Sequence, residues 1–319
     1  MRKVSLDTIT LVIGIIAIAV LVSIYDLNGT ITDISHLKIY YFLFAFGAFL
    51  AYTWLKFLPW TYIIRKLKLK ISISQSTVMM YAFFGMGIIP SSVAQYIPLR
   101  HLSNFKKNAQ FFSLSIILAL GATSGLALLF MTTIAAIFVS KYITYLIALL
   151  AATYLLTSLI GMRRTQNLLL TFVNKILNPK KHKLFRFAVK YIEGLKKHSA
   201  FLTQKDILSE TMLFLPSLFF EAVMLFFILL AFNQNLSIVA VLFIFGVAVE
   251  LGNISFLPGG LGVTDTSLVS LLLVFGTPGA VAITATVLFR FFNMLLVFVV
   301  SYISIFYMRV RFPNTVVKR

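Results

Sequence analysis

Residues 256–268 read FLPGGLGVTDTSL and lie between two strongly apolar runs. A proline, three glycines and a carboxylate are typical of a surface turn, because proline and glycine interrupt helices. The flanking runs are nevertheless apolar enough for lipid, and the stretch contains no Lys or Arg. The sequence therefore predicts a turn at membrane depth, where backbone polar groups must be enclosed by protein or line a wet cavity.

The composition predicts an all-α, polytopic membrane protein. Of the 319 residues, 60% are hydrophobic and 12% are charged, and several apolar runs reach the roughly 20 residues that cross a bilayer as a helix. These runs are continuous, whereas a β-barrel would show short alternating segments. The chain has no cysteine and its four histidines are scattered, so we expect no disulfide, no metal site and no other cofactor.

The net charge of +19 indicates orientation in a membrane rather than binding to nucleic acid, because the basic residues cluster between apolar runs. By the positive-inside rule these clusters are cytoplasmic, and so are both termini. We predict six full spans, at 9–25, 40–60, 109–139, 142–162, 211–231 and 279–308. The first is interpreted as a retained signal anchor, with a cleaved signal peptide as the alternative.

Two further apolar stretches begin and end on the same side of the membrane. Residues 71–99 have a basic cluster on each flank and are too short for two crossings, so they predict a re-entrant hairpin from inside. Residues 238–276 start and end outside, and predict a second hairpin, with two short spans as the alternative. The units 40–139 and 211–308 are thus candidate inverted repeats, as transporters have.

We expect the chain 1–319 to form a single integral membrane domain. Residues 163–207 are its longest polar segment and carry many Lys and Arg interleaved with apolar residues. This pattern predicts a basic amphipathic segment on the cytoplasmic membrane surface. The segment is too short for an ordinary catalytic domain.

Four ionisable residues are predicted at membrane depth, namely Glu221, Glu250, Asp265 and Arg290. Each would cost about 2.5–3.5 kcal/mol on insertion scales if it faced lipid, so we expect them to face one another. Three acids against one base leave an excess of two negative charges, which protons or a bound cation must remove.

Structural roles are open alternatives for each of these residues. Arg290 can dock two helices by pairing with one acid, and Glu221 and Glu250 can be protonated interhelical hydrogen-bond donors. Asp265 can N-cap the helix that follows the turn. The glycines can simply form a tight turn.

The sequence FLPGGLGVTDTSLVSLLLVFG at 256–276, followed by AVAITATVLFRFF at 280–292, resembles the lysylphosphatidylglycerol synthase transmembrane region, also called the flippase-like membrane domain family. The family motif is Pro-Gly-Gly-x-Gly-x-x-acid, then a helix that carries Arg. The matching residues are Pro258, Gly259, Gly260, Gly262, Asp265 and Arg290. Asp265 stands where bacterial members usually have Glu, and PSSVAQYIPLR at 90–100 departs from the family's first hairpin.

The resemblance implies movement of phospholipids, aminoacylated lipids or polyprenyl-linked lipids between the leaflets of a plasma membrane. We therefore expect a lipid translocator with a central polar cavity, and membrane lipids as its partners. The backbone amides of Gly259, Gly260 and Gly262 would approach a phosphate at a helix N-terminus, with Arg290 as a second anion ligand.

The acids Glu221, Glu250 and Asp265 would receive a headgroup ammonium or coupling protons, so a cationic or zwitterionic headgroup is favoured. Two other functions stay open. One is a membrane-embedded lipid-phosphate transferase that uses carboxylates as acid and base. The other is a non-catalytic partner of a separate transferase, with the 163–207 segment as the docking surface.

Overall fold

The computed structural model describes residues 38–67, 71–86, 109–139, 204–255, 258–260 and 262–311. Within these ranges every regular element is helical, which confirms the all-α class. The predicted spans 9–25 and 142–162, the return arm of the first hairpin and most of the basic segment lie outside the described residues. The assignment of the whole chain to a single domain stays a prediction.

The described helices, in chain order, are α1 (Ile39–Leu55), α2 (Phe57–Lys66), α3 (Ile73–Met86), α4 (Ala109–Val139), α5 (Gln204–Ala231), α6 (Ile238–Ile254), α7 (Val263–Val274), α8 (Gly279–Arg290) and α9 (Val297–Arg311). A 3-10 turn, Pro258–Gly260, lies between α6 and α7. A π-helical segment, Phe291–Leu296, connects α8 to α9.

Helical stretches in the described ranges that are long and apolar enough to cross a membrane are Ile39–Lys66, Ala119–Val139, Lys205–Ala231 and Gly279–Met308. They coincide with the predicted spans at 40–60, 109–139, 211–231 and 279–308. Large apolar side chains such as Phe44, Trp54 and Phe306 face outward, as expected of a protein whose solvent is lipid. The protein is therefore a helical membrane protein.

Two predicted boundaries are corrected by the structure. The span predicted at 40–60 continues to Lys66 and is broken at Lys56, because Pro59 has no N–H to donate to the Leu55 carbonyl. Helix α5 begins at Gln204, inside the predicted 163–207 segment. An acid in its first turn, Asp206, is favourable at the positive end of the helix dipole.

The helices pair across the chain. Helix α1 lies along α5, α3 along α9, and α4 along α6, while α6 also contacts α5 and α7. Small residues bring two of these pairs close together, with Gly85 against Ser301 and Gly246 against Thr132. Close approach through small residues is the usual way in which helices pack inside a membrane.

Polar contacts with α3 and α5 hold helix α2 in place. The indole Nε1 of Trp60 donates to the Ser76 hydroxyl of α3 at 3.1 Å. On α5, Asp206 pairs with Lys66 at 2.6 Å and accepts from the Tyr62 hydroxyl at 2.7 Å. These contacts fix the direction of α2 and hence the position of the break at Lys56.

Gly246→Ala should destabilise the protein, because a Cβ at position 246 would overlap the Thr132 hydroxyl. Overpacking of this kind typically costs about 1–3 kcal/mol. The measurement is the melting temperature of the detergent-purified protein, followed by size-exclusion chromatography after heating.

Gly47→Ala is the matched control, since nothing lies within 4 Å of a Cβ at that position. A second change, Thr132→Ala, should restore part of the stability of Gly246→Ala. Equal melting temperatures for Gly246→Ala and Gly47→Ala would contradict the close α4–α6 contact.

Candidate functional site

The Pro-Gly-Gly turn needs glycine at several positions. Gly259, Gly260 and Gly262 have φ angles of 57°, 65° and 80°, a region that residues with a Cβ rarely occupy. Gly260 also lies against the backbone of Gly252 in α6, where an added Cβ would come within 3.1 Å of the Gly252 Cα atom. The turn is therefore pressed onto α6 in a way that only glycine allows.

Asp265 closes the start of α7 from inside the helix. Its Oδ2 accepts a hydrogen bond from the backbone N–H of Gly262 at 2.8 Å, and Gly262 is the N-cap residue. The prediction of Asp265 as N-cap is therefore wrong by three positions, because the carboxylate reaches back to the cap as in half of a capping box. The Gly262 amide is committed to this bond.

Arg290, the last residue of α8, clamps the turn. Its Nε donates to Asp265 Oδ1, while Nη1 and Nη2 donate to the carbonyls of Gly259 and Gly260 at 3.0 and 3.4 Å. Asp265 is 2% exposed and Arg290 is 5% exposed. This ion pair was predicted from the sequence as an alternative that docks two helices, and the structure has that geometry.

A cavity of about 270 Å³ opens beside this clamp. Its polar lining combines residues from six helical elements and from the break between α1 and α2, namely Tyr52, Lys56, Glu221, Asn253, Thr264, Arg290 and Asn293. Apolar side chains, among them Phe84, Val249 and Phe289, complete the wall. Pockets for whole drug-sized molecules measure about 300–1,000 Å³, so the cavity suits a small polar group rather than an entire lipid.

A chain of hydrogen bonds crosses one wall of the cavity from a cation to an anion. Lys56 Nζ donates to the Tyr52 hydroxyl, which donates to Asn293 Oδ1 at 2.8 Å. Asn293 Nδ2 then donates to Glu221 Oε1. Three helical elements meet in this chain, and it separates the opposite charges of Lys56 and Glu221 along the wall.

The π-helical segment contributes to the lining. Asn293 and Met294 lie in this segment and line the cavity. Arg290 and Val297, which flank the segment, line the cavity as well. A π-helical turn inside an α-helix is often found at a functional site. Here the π-helical segment lies between α8 and α9, directly after the clamp residue Arg290.

The structure brings together most of the predicted site residues. Gly259, Gly260, Glu221 and Arg290 line the cavity, and Gly262 and Asp265 hold the turn behind it. Glu250 is buried, but it is not part of the described lining. Its Oε2 has no hydrogen-bond partner in the part of the chain that the structure describes.

The predicted set of charged residues inside the protein lacked one base and one acid. Lys56 lines the same cavity, although sequence reasoning assigned it to a cytoplasmic basic cluster. Glu210, by contrast, lies inside α5 and is fully buried away from the lining. With these two residues added, four acids stand against two bases, so the excess stays at two negative charges. The two residues were missed because the helix break at Lys56 and the true start of α5 were not recognised.

Sequence reasoning also missed the neutral residues of the hydrogen-bond chain. Tyr52 and Asn293 carry no charge, so a search for ionisable groups could not find them. Spacing was an available signal for Asn293, since positions 290, 293, 294 and 297 share one face of a helix.

Comparison with protein families identifies a family whose model covers most of the chain. A family model described as the lysylphosphatidylglycerol synthase TM region matches residues 8–301. Among curated proteins, none matches this sequence significantly. The matched region contains the Pro-Gly-Gly turn, Asp265, Arg290 and every residue named in the cavity. The chain therefore belongs to the family of lysylphosphatidylglycerol synthase transmembrane regions.

Proposed function

We propose that the protein is a lipid translocator, which moves a polar-headed phospholipid or isoprenoid-phosphate lipid between the leaflets of a plasma membrane. The observation that carries the proposal is a headgroup-sized polar cavity among apolar helices, with a cation and an anion on one wall. Charged groups inside a membrane protein ordinarily mark a substrate or ion path. The headgroup would pass through the cavity while the acyl chains stay in lipid.

Pseudosymmetric packing supports an inverted repeat in this translocator. If 40–139 and 211–308 are the repeats, α3 corresponds to α6, and α4 corresponds to α8 with α9. The contact of α3 with α9 then corresponds to the contact of α6 with α4. Helices α1 and α5 correspond to each other, and they are in contact with each other. In the α3–α9 contact and in the α6–α4 contact a glycine faces a hydroxyl residue, Gly85 to Ser301 and Gly246 to Thr132.

The lengths of α6 and α7 support a re-entrant second hairpin. Helix α6 has 17 residues and α7 has 12, so they rise about 25 Å and about 18 Å at 1.5 Å per residue. A hydrocarbon core is about 30 Å thick. The turn at Pro258–Gly260 would thus lie inside the membrane. The basic clusters between the apolar runs favour both termini in the cytoplasm.

The proposed roles follow from the contacts. Arg290 and Asp265 hold the turn, while Gly259, which is exposed in the cavity lining, leaves room for a ligand to approach its backbone. Glu221 receives the cationic end of a headgroup, because its carboxylate lines the cavity and has one amide partner from Asn293. Glu250 has an unpartnered buried oxygen among the described residues, and we assign it an exchangeable proton.

The natural absence of cysteine allows a direct test of the hairpin with single-cysteine variants. Asn235→Cys and Ala280→Cys should react with a membrane-impermeant maleimide from outside, since both positions are exposed before α6 and after α7. Ser255→Cys, next to the turn, should react much more slowly from the cytoplasmic side than Arg65→Cys. Equal rates at positions 255 and 65 would favour two short spans.

Asp265→Asn should lower the stability of the protein strongly. It leaves the buried Arg290 without its counter-ion, and breaking a buried ion pair in this way costs about 3–5 kcal/mol. Arg290→Lys should have a smaller effect in the same direction, because an ammonium cannot reach all three acceptors. The measurement is the melting temperature in detergent.

Asp206→Asn is the matched control for Asp265→Asn. It breaks the ion pair with Lys66, whose side chain is 42% exposed. A partly solvated ion pair contributes less to stability than a buried one. A larger loss for Asp206→Asn than for Asp265→Asn would argue against Asp265 and Arg290 as the clamp.

Glu221→Gln should slow lipid translocation about tenfold, because it removes a charge-assisted hydrogen bond worth about 1.5–3 kcal/mol. The assay uses proteoliposomes with acyl-labelled fluorescent phosphatidylethanolamine and a quencher added outside. Glu210→Gln is the control, since Glu210 is buried on the same helix but does not line the cavity. Equal rates for wild type and both variants would contradict the role of Glu221.

Mass spectrometry of the same liposomes tests the main alternative. A translocator leaves the lipids chemically unchanged, whereas a lipid-phosphate transferase produces a new species. A new product that disappears in Glu221→Gln would replace the proposed function by the enzymatic one.

A further inference from the structure

We propose that Lys56, rather than Arg290, is the cation that binds the phosphate of the translocated headgroup, and that Glu221 binds its amine. This inference rests on the proposed function and names its substrate class. The class is a phosphodiester that carries an amine, such as a phosphoethanolamine headgroup.

Arg290 has little binding capacity left for a ligand. Its Nε, Nη1 and Nη2 atoms all donate to protein oxygens, namely Asp265 Oδ1 and the carbonyls of Gly259 and Gly260. Nη1 also contacts the Met294 sulfur at 3.6 Å. A guanidinium has five N–H groups, so most of them are engaged in the clamp, and Asp265 neutralises its charge.

Lys56 is placed differently. Its ammonium lies over the Tyr52 ring at 4.0 Å from the centroid and 5.1 Å from that of Phe84. It donates to one neutral oxygen, the Tyr52 hydroxyl, and forms no ion pair with any residue in the described ranges. An ammonium has three donors, so Lys56 can bind a phosphate oxygen without leaving Tyr52.

The backbone explains why this lysine faces the cavity. Lys56 lies at the break between α1 and α2, where Pro59 ends the regular hydrogen bonding of α1. Helix α2 is anchored beyond the break by Trp60 and by the ion pair of Lys66 with Asp206. A compact charge on a flexible stem, placed at such a break, can follow a phosphate over a short distance.

Glu221 supplies the second half of the recognition. The chain through Tyr52 and Asn293 connects it to Lys56 along one wall, yet the two charged groups form no direct ion pair. A zwitterion that lies along this wall places its phosphate at Lys56 and its amine at Glu221. A phosphodiester without an amine can use only the Lys56 end.

The test measures the affinity of detergent-purified protein for four probes by thermophoresis. The probes are dihexanoyl phosphatidylethanolamine, dihexanoyl phosphatidylglycerol, dihexanoylglycerol without phosphate, and glycerophosphoethanolamine without acyl chains. Lys56→Gln should lower the affinity for both phospholipids at least about fivefold, because one charge-assisted contact is lost. The affinity for dihexanoylglycerol should not change. Glu221→Gln should lower the affinity for phosphatidylethanolamine and not the affinity for phosphatidylglycerol.

Arg65→Gln is the matched control, because it removes an exposed positive charge from α2 and should change none of the affinities. Lys56→Arg keeps the charge and should retain phospholipid binding within about twofold. If Lys56→Gln does not fold, Lys56→Met takes its place, because it keeps the apolar stem against Tyr52 and Phe84. The expected result is the same.

The outcomes separate this inference from the proposed function. If wild type binds and moves phospholipids and Lys56→Gln binds them equally well, the inference is overturned and the translocator stands. If wild type neither binds nor moves any lipid probe, the proposed function fails. If glycerophosphoethanolamine binds as tightly as the lipid and depends on Lys56, the phosphate role is supported, but the ligand is a soluble phosphodiester.

Discussion

The buried pair of Asp265 and Arg290 connects the parts of this protein that would otherwise be unstable in a membrane. The turn between α6 and α7 has irregular backbone, and its carbonyls need hydrogen-bond donors from outside the turn. Arg290 provides them for Gly259 and Gly260, and Asp265 both balances the arginine and caps α7. Removal of either partner would leave an uncompensated charge and an unpaired turn together.

Arg290 uses most of its hydrogen-bond donors in the clamp. Other residues therefore provide the free polar groups of the cavity. Lys56 comes from a break between two helices, Glu221 from the interior of α5, and Asn293 from a π-helical segment. Each of these positions departs from regular helical structure or places a charge inside a span, and each has a cost. Such costs are ordinarily retained where a membrane protein handles a polar substrate.

Small residues allow the cavity to exist between closely packed helices. Gly246 and Gly85 let their helices approach partners that carry hydroxyl groups, and Gly252 admits the turn itself. These contacts join backbone to backbone or to short side chains, whereas the hydrogen-bond chain on the cavity wall consists of longer side chains.

The sequence alone was sufficient for the helical membrane class, for the positions of several spans and for the turn with its acid and arginine, because hydropathy, glycine and proline act locally along the chain. It also brought forward Asp265 and Arg290, since isolated charges at membrane depth must find each other. It could not show that Lys56 turns inward, that Glu250 stays outside the lining, or that Tyr52 and Asn293 connect Lys56 to Glu221. Those features arise only when α1, α5, α6 and the π-helical segment pack together, because the direction of a side chain depends on helix breaks, helix starts and neighbours that are distant in sequence.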